Sequence, residues 1–214
     1  DEDFRDWSNQ IVQIKDDMLK AKRSGTSEEA ISIYESIIKK HSYYSDAYFY
    51  IGYSHYKNQD IETASINFSK ALDIYPNHKN AKTMLGNITK KLLNNGNKSY
   101  KRGDIGKARS YYEKAIAFDS QFFLAYFQLG VLQKKQGQSK DAISSLNKVI
   151  EIKPDHHKTW YTLGTVHEAD GNMDVAIEHY SKAIEINPGY SKAYGSLGKL
   201  YTEKQEFKKA EDIL

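Results

Sequence analysis

The sequence contains no cysteine. That excludes a disulfide framework, a thiolate zinc site and a cysteine nucleophile, and an intracellular, cytoplasmic location fits it best. Three prolines in 214 residues leave little to interrupt long helices, and the plentiful Leu, Ile, Ala, Lys and Tyr argue against a structureless chain. Apolar runs such as AYFYIGY at 47–53 fall far short of the ~20 residues that cross a bilayer. The acidic start, DEDFRDW, does not fit a secretory or mitochondrial presequence, and a chain beginning at Asp1 reads as a piece cut from a longer protein. No HExxH, P-loop or GxSxG pattern occurs. The expectation is therefore a protein that is not an enzyme and needs no metal or cofactor.

What is present is a period. An Ala followed four residues later by an aromatic residue or Leu recurs as Ala30/Tyr34, Ala64/Phe68, Ala108/Tyr112, Ala142/Leu146, Ala176/Tyr180 and Ala210/Leu214. Every interval is 34 residues except the second, which is 44. Twelve residues before each Ala stands Met18, Gly52, Gly96, Gly130, Gly164 or Gly198, and Pro76, Pro154 and Pro188 all lie twelve residues after one. Each unit predicts two helices. In HKTWYTLGTVHEADGNMDVAIEHYSKAIEINP, Trp160, Leu163, Gly164 and His167 make one face of a first helix. Gly171 supplies a left-handed exit, Val175, Ala176, Tyr180, Ala183 and Ile184 line a second helix, and Pro188 ends the unit. Thr26 and Glu29 offer a capping box in the first unit. One such pair cannot bury its apolar face, so stacking into a solenoid is obligatory.

The W-x-x-L-G, G, A-x-x-x-Y-x-x-A and P positions resemble the tetratricopeptide repeat. The resemblance implies an all-α, right-handed solenoid of antiparallel helix pairs, with repeats at 11–44, 45–78, 79–122, 123–156, 157–190 and a truncated 191–214. Residues 1–10 are then a helical extension or cap. The first repeat is degenerate, with Asp17 and Met18 where Leu and Gly are expected, and the last stops inside its second helix, so the natural protein is expected to run past Leu214. The ten extra residues of the third repeat keep helical steps through Ala81, Leu85, Ile88, Leu92, Gly96 and Ser99. One lengthened first helix is the simpler expectation, about 15 Å longer at 1.5 Å per residue; a break at NNG, 94–96, is its rival. A continuous helix would rotate the downstream repeats.

In the family resembled, the second, fifth, ninth and twelfth places of each repeat face a groove that binds peptides. Carried onto this chain, they are Val12, Lys15, Leu19 and Lys22, then Asp46, Phe49, Tyr53 and Tyr56. Lys90, Leu93, Asn97 and Lys101 follow, then Leu124, Phe127, Val131 and Lys134. The last two sets are Lys158, Tyr161, Thr165 and Glu168, then Lys192, Gly195, Lys199 and Thr202. Phe49, Tyr53 and Tyr56 are expected to be groove aromatics, serving as binding anchors or lying under a neighbouring segment. The resemblance also invites comparison with co-chaperone domains that clamp acidic EEVD tails. Asn97 and Lys158 match two clamp residues and Gln128 keeps the amide of a third, but Leu93 and Thr162 stand where two cations are needed. A different acidic or mixed peptide, met by Lys101, Lys158, Phe127 and Tyr161, suits these residues better.

Net charge supports an acidic partner only locally. The balance is −2 over 1–44, +5 over 45–122 and 0 over 123–214, adding to the overall +3. Lys79 to Arg102 holds seven positive charges and no negative one, but nucleic-acid binding is a minor option. His156 and His157 are adjacent and would not share a helical face, His167 and His179 are expected to pack or lie at the surface rather than ligate, and sequons at Asn67, Asn87 and Asn97 fall inside predicted helices. The leading function is thus an adaptor binding a peptide or helix of another protein. A self-associating scaffold and the repeat portion of a larger enzyme are the alternatives.

Overall fold

The computed structural model describes residues 2–213, with side chains from Trp7 onward. The described residues form helices and connecting turns only. In order they are α1 (Glu2–Arg23), α2 (Ser27–Lys40), α3 (Ser45–Lys57), α4 (Ile61–Ile74), α5 (Lys79–Lys101) and α6 (Ile105–Phe118). Then come α7 (Phe123–Lys135), α8 (Ser139–Ile152), α9 (His157–Ala169), α10 (Met173–Ile186), α11 (Ser191–Glu203) and α12 (Phe207–Ile213). The fold is all-α, of the helix-pair superhelix type, and the predicted N-terminal extension is continuous with the first repeat's first helix. Two compact units divide the chain, Asp1–Lys91 and Leu92–Leu214.

The turns inside the helix pairs from α3/α4 onward share one conformation, which the α1/α2 turn does not adopt. Gln59, Gly103, Gly137, Gly171 and Gln205 take φ of 64°, 85°, 72°, 78° and 60°, the left-handed exit foreseen at Gly171. Glycine enters this region without a Cβ penalty, whereas the two glutamines bear about 1–2 kcal/mol of strain. Two second helices begin at a side-chain cap. Thr26 Oγ1 accepts from the Glu29 N–H at 3.1 Å, and Asp60 Oδ1 from the Thr63 N–H at 3.1 Å. Second helices end where extended backbone and, in three repeats, a proline remove the next donor.

Packing inside each pair follows the Gly-to-large register. A Cβ on Gly52 would meet the Phe68 ring at 2.9 Å, on Gly96 the Tyr112 ring at 2.4 Å, on Gly130 Leu146 at 2.8 Å and on Gly164 the Tyr180 ring at 2.5 Å. Each large side chain is buried by this approach, which contributes about 1.5–3 kcal/mol. In the first unit Met18 replaces the small residue and packs in one cluster with Ala21, Ala30, Tyr34 and Ile51. The second unit repeats the pattern around Ala108 and Tyr112, Ala142 and Leu146, then Ala176 and Tyr180.

Helix α5 is continuous, so the rival break at 94–96 does not occur. It has 23 residues where α3, α7, α9 and α11 have 13. The division between the units falls within it: Ala81, Leu85 and Ile88 are buried in the first, Leu93 and Gly96 in the second. No described helix is long and apolar enough to cross a membrane.

Candidate functional site

In the second unit, two pairs of first-helix residues meet across adjacent repeats. Lys134 on α7 donates from Nζ to Thr165 Oγ1 on α9 at 2.8 Å, and Lys199 on α11 donates to Glu168 Oε1 on α9 at 2.8 Å. Glu168 Oε2 also accepts from the Tyr180 hydroxyl at 2.5 Å. Burial alone would raise the Glu168 carboxyl, but its bonds to Lys199 and Tyr180 bring it below the ordinary carboxylate range. Burial lowers the Lys134 ammonium, and Glu168 opposes that shift. Ninth and twelfth places of adjacent repeats are therefore lateral neighbours, tied across the seam.

The apolar part of the face is held in place from beneath. Phe127 is half-buried with its ring edge-on to His156, centroids 5.0 Å apart. Tyr161 is half-buried too, 5.4 Å from the Tyr180 ring and 5.3 Å from Tyr190. Fixed rings lose little conformational freedom when a ligand covers them. Asn97 is half-buried on α5, where Oδ1 accepts from the Tyr112 hydroxyl at 2.9 Å. Burial pushes that phenol up to about 12, so it stays a donor, and the Asn97 amide nitrogen is left to donate outward. Gln128 is half-buried, while Lys101 and Lys158 are exposed and have no carboxylate partner among the described residues. The two positions that break the clamp resemblance are buried: Leu93 lies in the core, and Thr162 donates to the Lys158 carbonyl at 2.7 Å.

The first unit requires one correction. Phe49, expected as a groove aromatic, is only 7% exposed. It packs against Phe68 at 5.7 Å and His78 at 5.1 Å, and Tyr53 stacks on it at 6.1 Å. The Phe49 ring reaches the second helix and the turn after it, and so joins the core. Tyr53 is 37% exposed and Tyr56 half-buried, so the accessible face here is Tyr53 and Tyr56 with Val12, Lys15, Leu19 and Lys22. Asp46 Oδ1 lies 2.9 Å from His78 Nε2, while His78 Nδ1 accepts from the Ala81 N–H at 3.2 Å.

The other singled-out residues have structural partners. His156 bonds Thr159 at 2.7 Å and His157 lies 3.3 Å from the Asn187 amide, so the adjacent histidines serve different neighbours. The His167 and His179 rings lie tilted to one another with centroids 5.2 Å apart, and Trp160 is 5.6 Å from His179. No group of three or more His, Cys, Asp or Glu able to hold a metal occurs among the described residues. Asn67 is buried and donates to the Thr63 carbonyl at 2.9 Å, which excludes a glycan there. Sequence reasoning missed the cross-repeat polar pairs. Their signal was a spacing of 30 or 31 residues, one period less three or four, between side chains able to pair.

Sequence models of the tetratricopeptide repeat match residues 46–78, 124–156, 157–190 and 179–212, and a further repeat model matches 96–137. The chain belongs to the tetratricopeptide repeat family. As such it is an interaction module. Two crystal structures of MamA are similar, the first 28% identical with a TM-score of 0.55 over 76% of this chain and 90% of that one. The second is 27% identical, with a TM-score of 0.54 over 79% and 87%. The first tetratricopeptide domain of Spaghetti (RPAP3), bound to the HSP90 peptide SRMEEVD, is 19% identical with a TM-score of 0.53 over 56% and 94%, a likeness of fold alone. No curated protein matches significantly.

Proposed function

We propose that the second unit binds an acidic peptide, or an acidic helical segment of a partner protein, along the first-helix face of α5, α7 and α9. Phe127 and Tyr161 supply apolar contact, Asn97 and Gln128 supply amide bonds, and Lys101 and Lys158 supply charge. The observation that carries this reading is the contrast among lysines on first helices. Lys134 and Lys199 are tied to Thr165 and Glu168, whereas Lys101 and Lys158 are exposed and have no acid partner among the described residues. Leu93 and Thr162 remove two cations of the EEVD-type clamp; each charged hydrogen bond lost weakens binding by roughly 1.5–3 kcal/mol, so a terminal carboxylate clamp is disfavoured against a peptide with internal acidic residues.

The test is selection of peptides from a displayed random library on the 214-residue chain, followed by anisotropy titration of those enriched. Acidic sequences should be enriched, with Tyr161→Ala and Lys101→Glu/Lys158→Glu each weakening them tenfold or more. Enrichment of basic or uncharged sequences, or affinities indifferent to both variants, rejects this face. Light scattering at the same concentrations addresses the scaffold alternative, for which mass should rise with concentration.

A further inference from the structure

Unit 2 closes the turn side of successive repeats with polar pairs, and unit 1 does not. Beside the Lys134–Thr165 and Glu168–Lys199 bonds, Ser139 Oγ donates to Asp170 Oδ1 at 2.7 Å and Lys204 pairs with Asp174. The same spacing in unit 1 sets Lys22 against Tyr53 and Ser27 against Asn58, pairs that do not bond. Instead the Lys22 ammonium lies 4.5 Å from the centre of the Tyr50 ring, and the Lys57 ammonium 5.1 Å from the centre of the Tyr53 ring. A cavity of about 280 Å³ is left at the ends of α1 and α3, lined by Lys22, Lys57, Ser27, Ser54, Tyr53 and the Ser24–Thr26 turn.

Its lining holds two ammonium groups and no carboxylate. Neither lysine forms an ion pair among the described residues, and Glu28 and Glu29, exposed in the first turn of α2, do not line it. The Ser24 hydroxyl is committed as a donor to the Ala21 carbonyl, whereas Thr26 Oγ1 accepts from the Glu29 N–H and keeps its own hydrogen. The Thr26, Ser27 and Ser54 hydroxyls remain as donors. We infer that this cavity binds a phosphate group, either on a phosphorylated side chain of a partner or as the free ion. A phosphate brings nearly two negative charges and three acceptor oxygens at neutral pH, matching two ammonium groups and the hydroxyls beside them. A carboxylate also accepts several hydrogen bonds but brings only one charge, which leaves the second ammonium group uncompensated. The aromatic rings beneath Lys22 and Lys57 hold the cations at the rim.

The site shares no cation with the face proposed in unit 2, so the two stand or fall separately. The test is an amide NMR titration of the whole chain with inorganic phosphate, a five-residue phosphoserine peptide, and its serine and glutamate counterparts. Saturable shifts are expected at Ser24, Gly25, Ser27 and Lys57 with inorganic phosphate or the phosphopeptide. The glutamate peptide should bind at least tenfold more weakly and the serine peptide should cause no saturable shift. Tighter binding of the phosphopeptide than of inorganic phosphate assigns a modified side chain; equal or weaker binding assigns the free ion. Lys22→Gln/Lys57→Gln should lower affinity tenfold or more without changing the melting curve. Lys22→Arg/Lys57→Arg should retain binding, and Lys101→Glu/Lys158→Glu should not alter it. Absence of saturable shifts, equal binding of the glutamate peptide, or undiminished binding by the Gln variant overturns the inference.

Discussion

Gly164 and Gly195 both lie in first helices, yet adding a methyl group should have opposite effects. At Gly164 the new Cβ would meet a fully buried Tyr180 ring whose hydroxyl is bonded to Glu168, so the ring has nowhere to move. Gly164→Ala is expected to cost about 1–3 kcal/mol. At Gly195 nothing lies within 4 Å, and Gly195→Ala should stabilise by about 0.5–1 kcal/mol through the lower entropy of the unfolded chain. Urea denaturation of the two variants checks both signs. Glu168 gives a pH-dependent counterpart. Its folded carboxyl is held below the ordinary 4.5, so the folded state binds its proton less readily than the unfolded state. Its contribution is present above about pH 4.5 and is lost as pH falls through the folded value. Glu168→Gln should therefore flatten the acid limb of the stability curve below pH 4.5, while lowering stability at pH 7. An acid limb unchanged by the substitution would show that the Lys199 and Tyr180 bonds do not set this carboxyl.

At the scale of elements, α5 carries the most consequence. Its steps at Ala81, Leu85, Ile88 and Leu92 were legible because helical periodicity crosses the insertion without a proline. The partition of its buried faces between two units was not, since the same apolar residues would serve a single stack equally well. Asn95→Pro would remove a helical donor and set a ring against the preceding turn, costing about 3 kcal/mol or more. Amide exchange should then rise in the middle of α5 while protection in α9 and α10 persists; global loss of protection would mean that the two units unfold as one. Elsewhere the Gly, Ala and Pro registers gave the helices and their turns, because each residue type answers a local demand for close approach, small volume or an ended hydrogen-bond ladder. Phe49 escaped that logic. Its place predicted a groove residue, but the reach of a phenyl ring to Phe68 and His78 made it core.

At the scale of the whole molecule, the charge distribution bears on binding. The unpaired Lys101 and Lys158 predict that affinity for an acidic peptide falls as salt rises, because exposed charges are screened within about 10 Å at 0.1 M ionic strength. Titrations at 50 and 500 mM salt should show at least a severalfold loss in the native chain and a smaller one in Lys101→Glu/Lys158→Glu. Salt-independent affinity would locate binding away from those lysines. The sequence by itself determined the family and the helix pairs, since these follow from periodicity and from the backbone demands of Gly and Pro, and it left the continuity of α5 open. Only the tertiary structure decided which groove places remain accessible, which lysines are tied across a seam and where a cavity stays open. Those outcomes depend on how far particular side chains reach toward residues some thirty positions away, and a register fixes proximity without fixing contact.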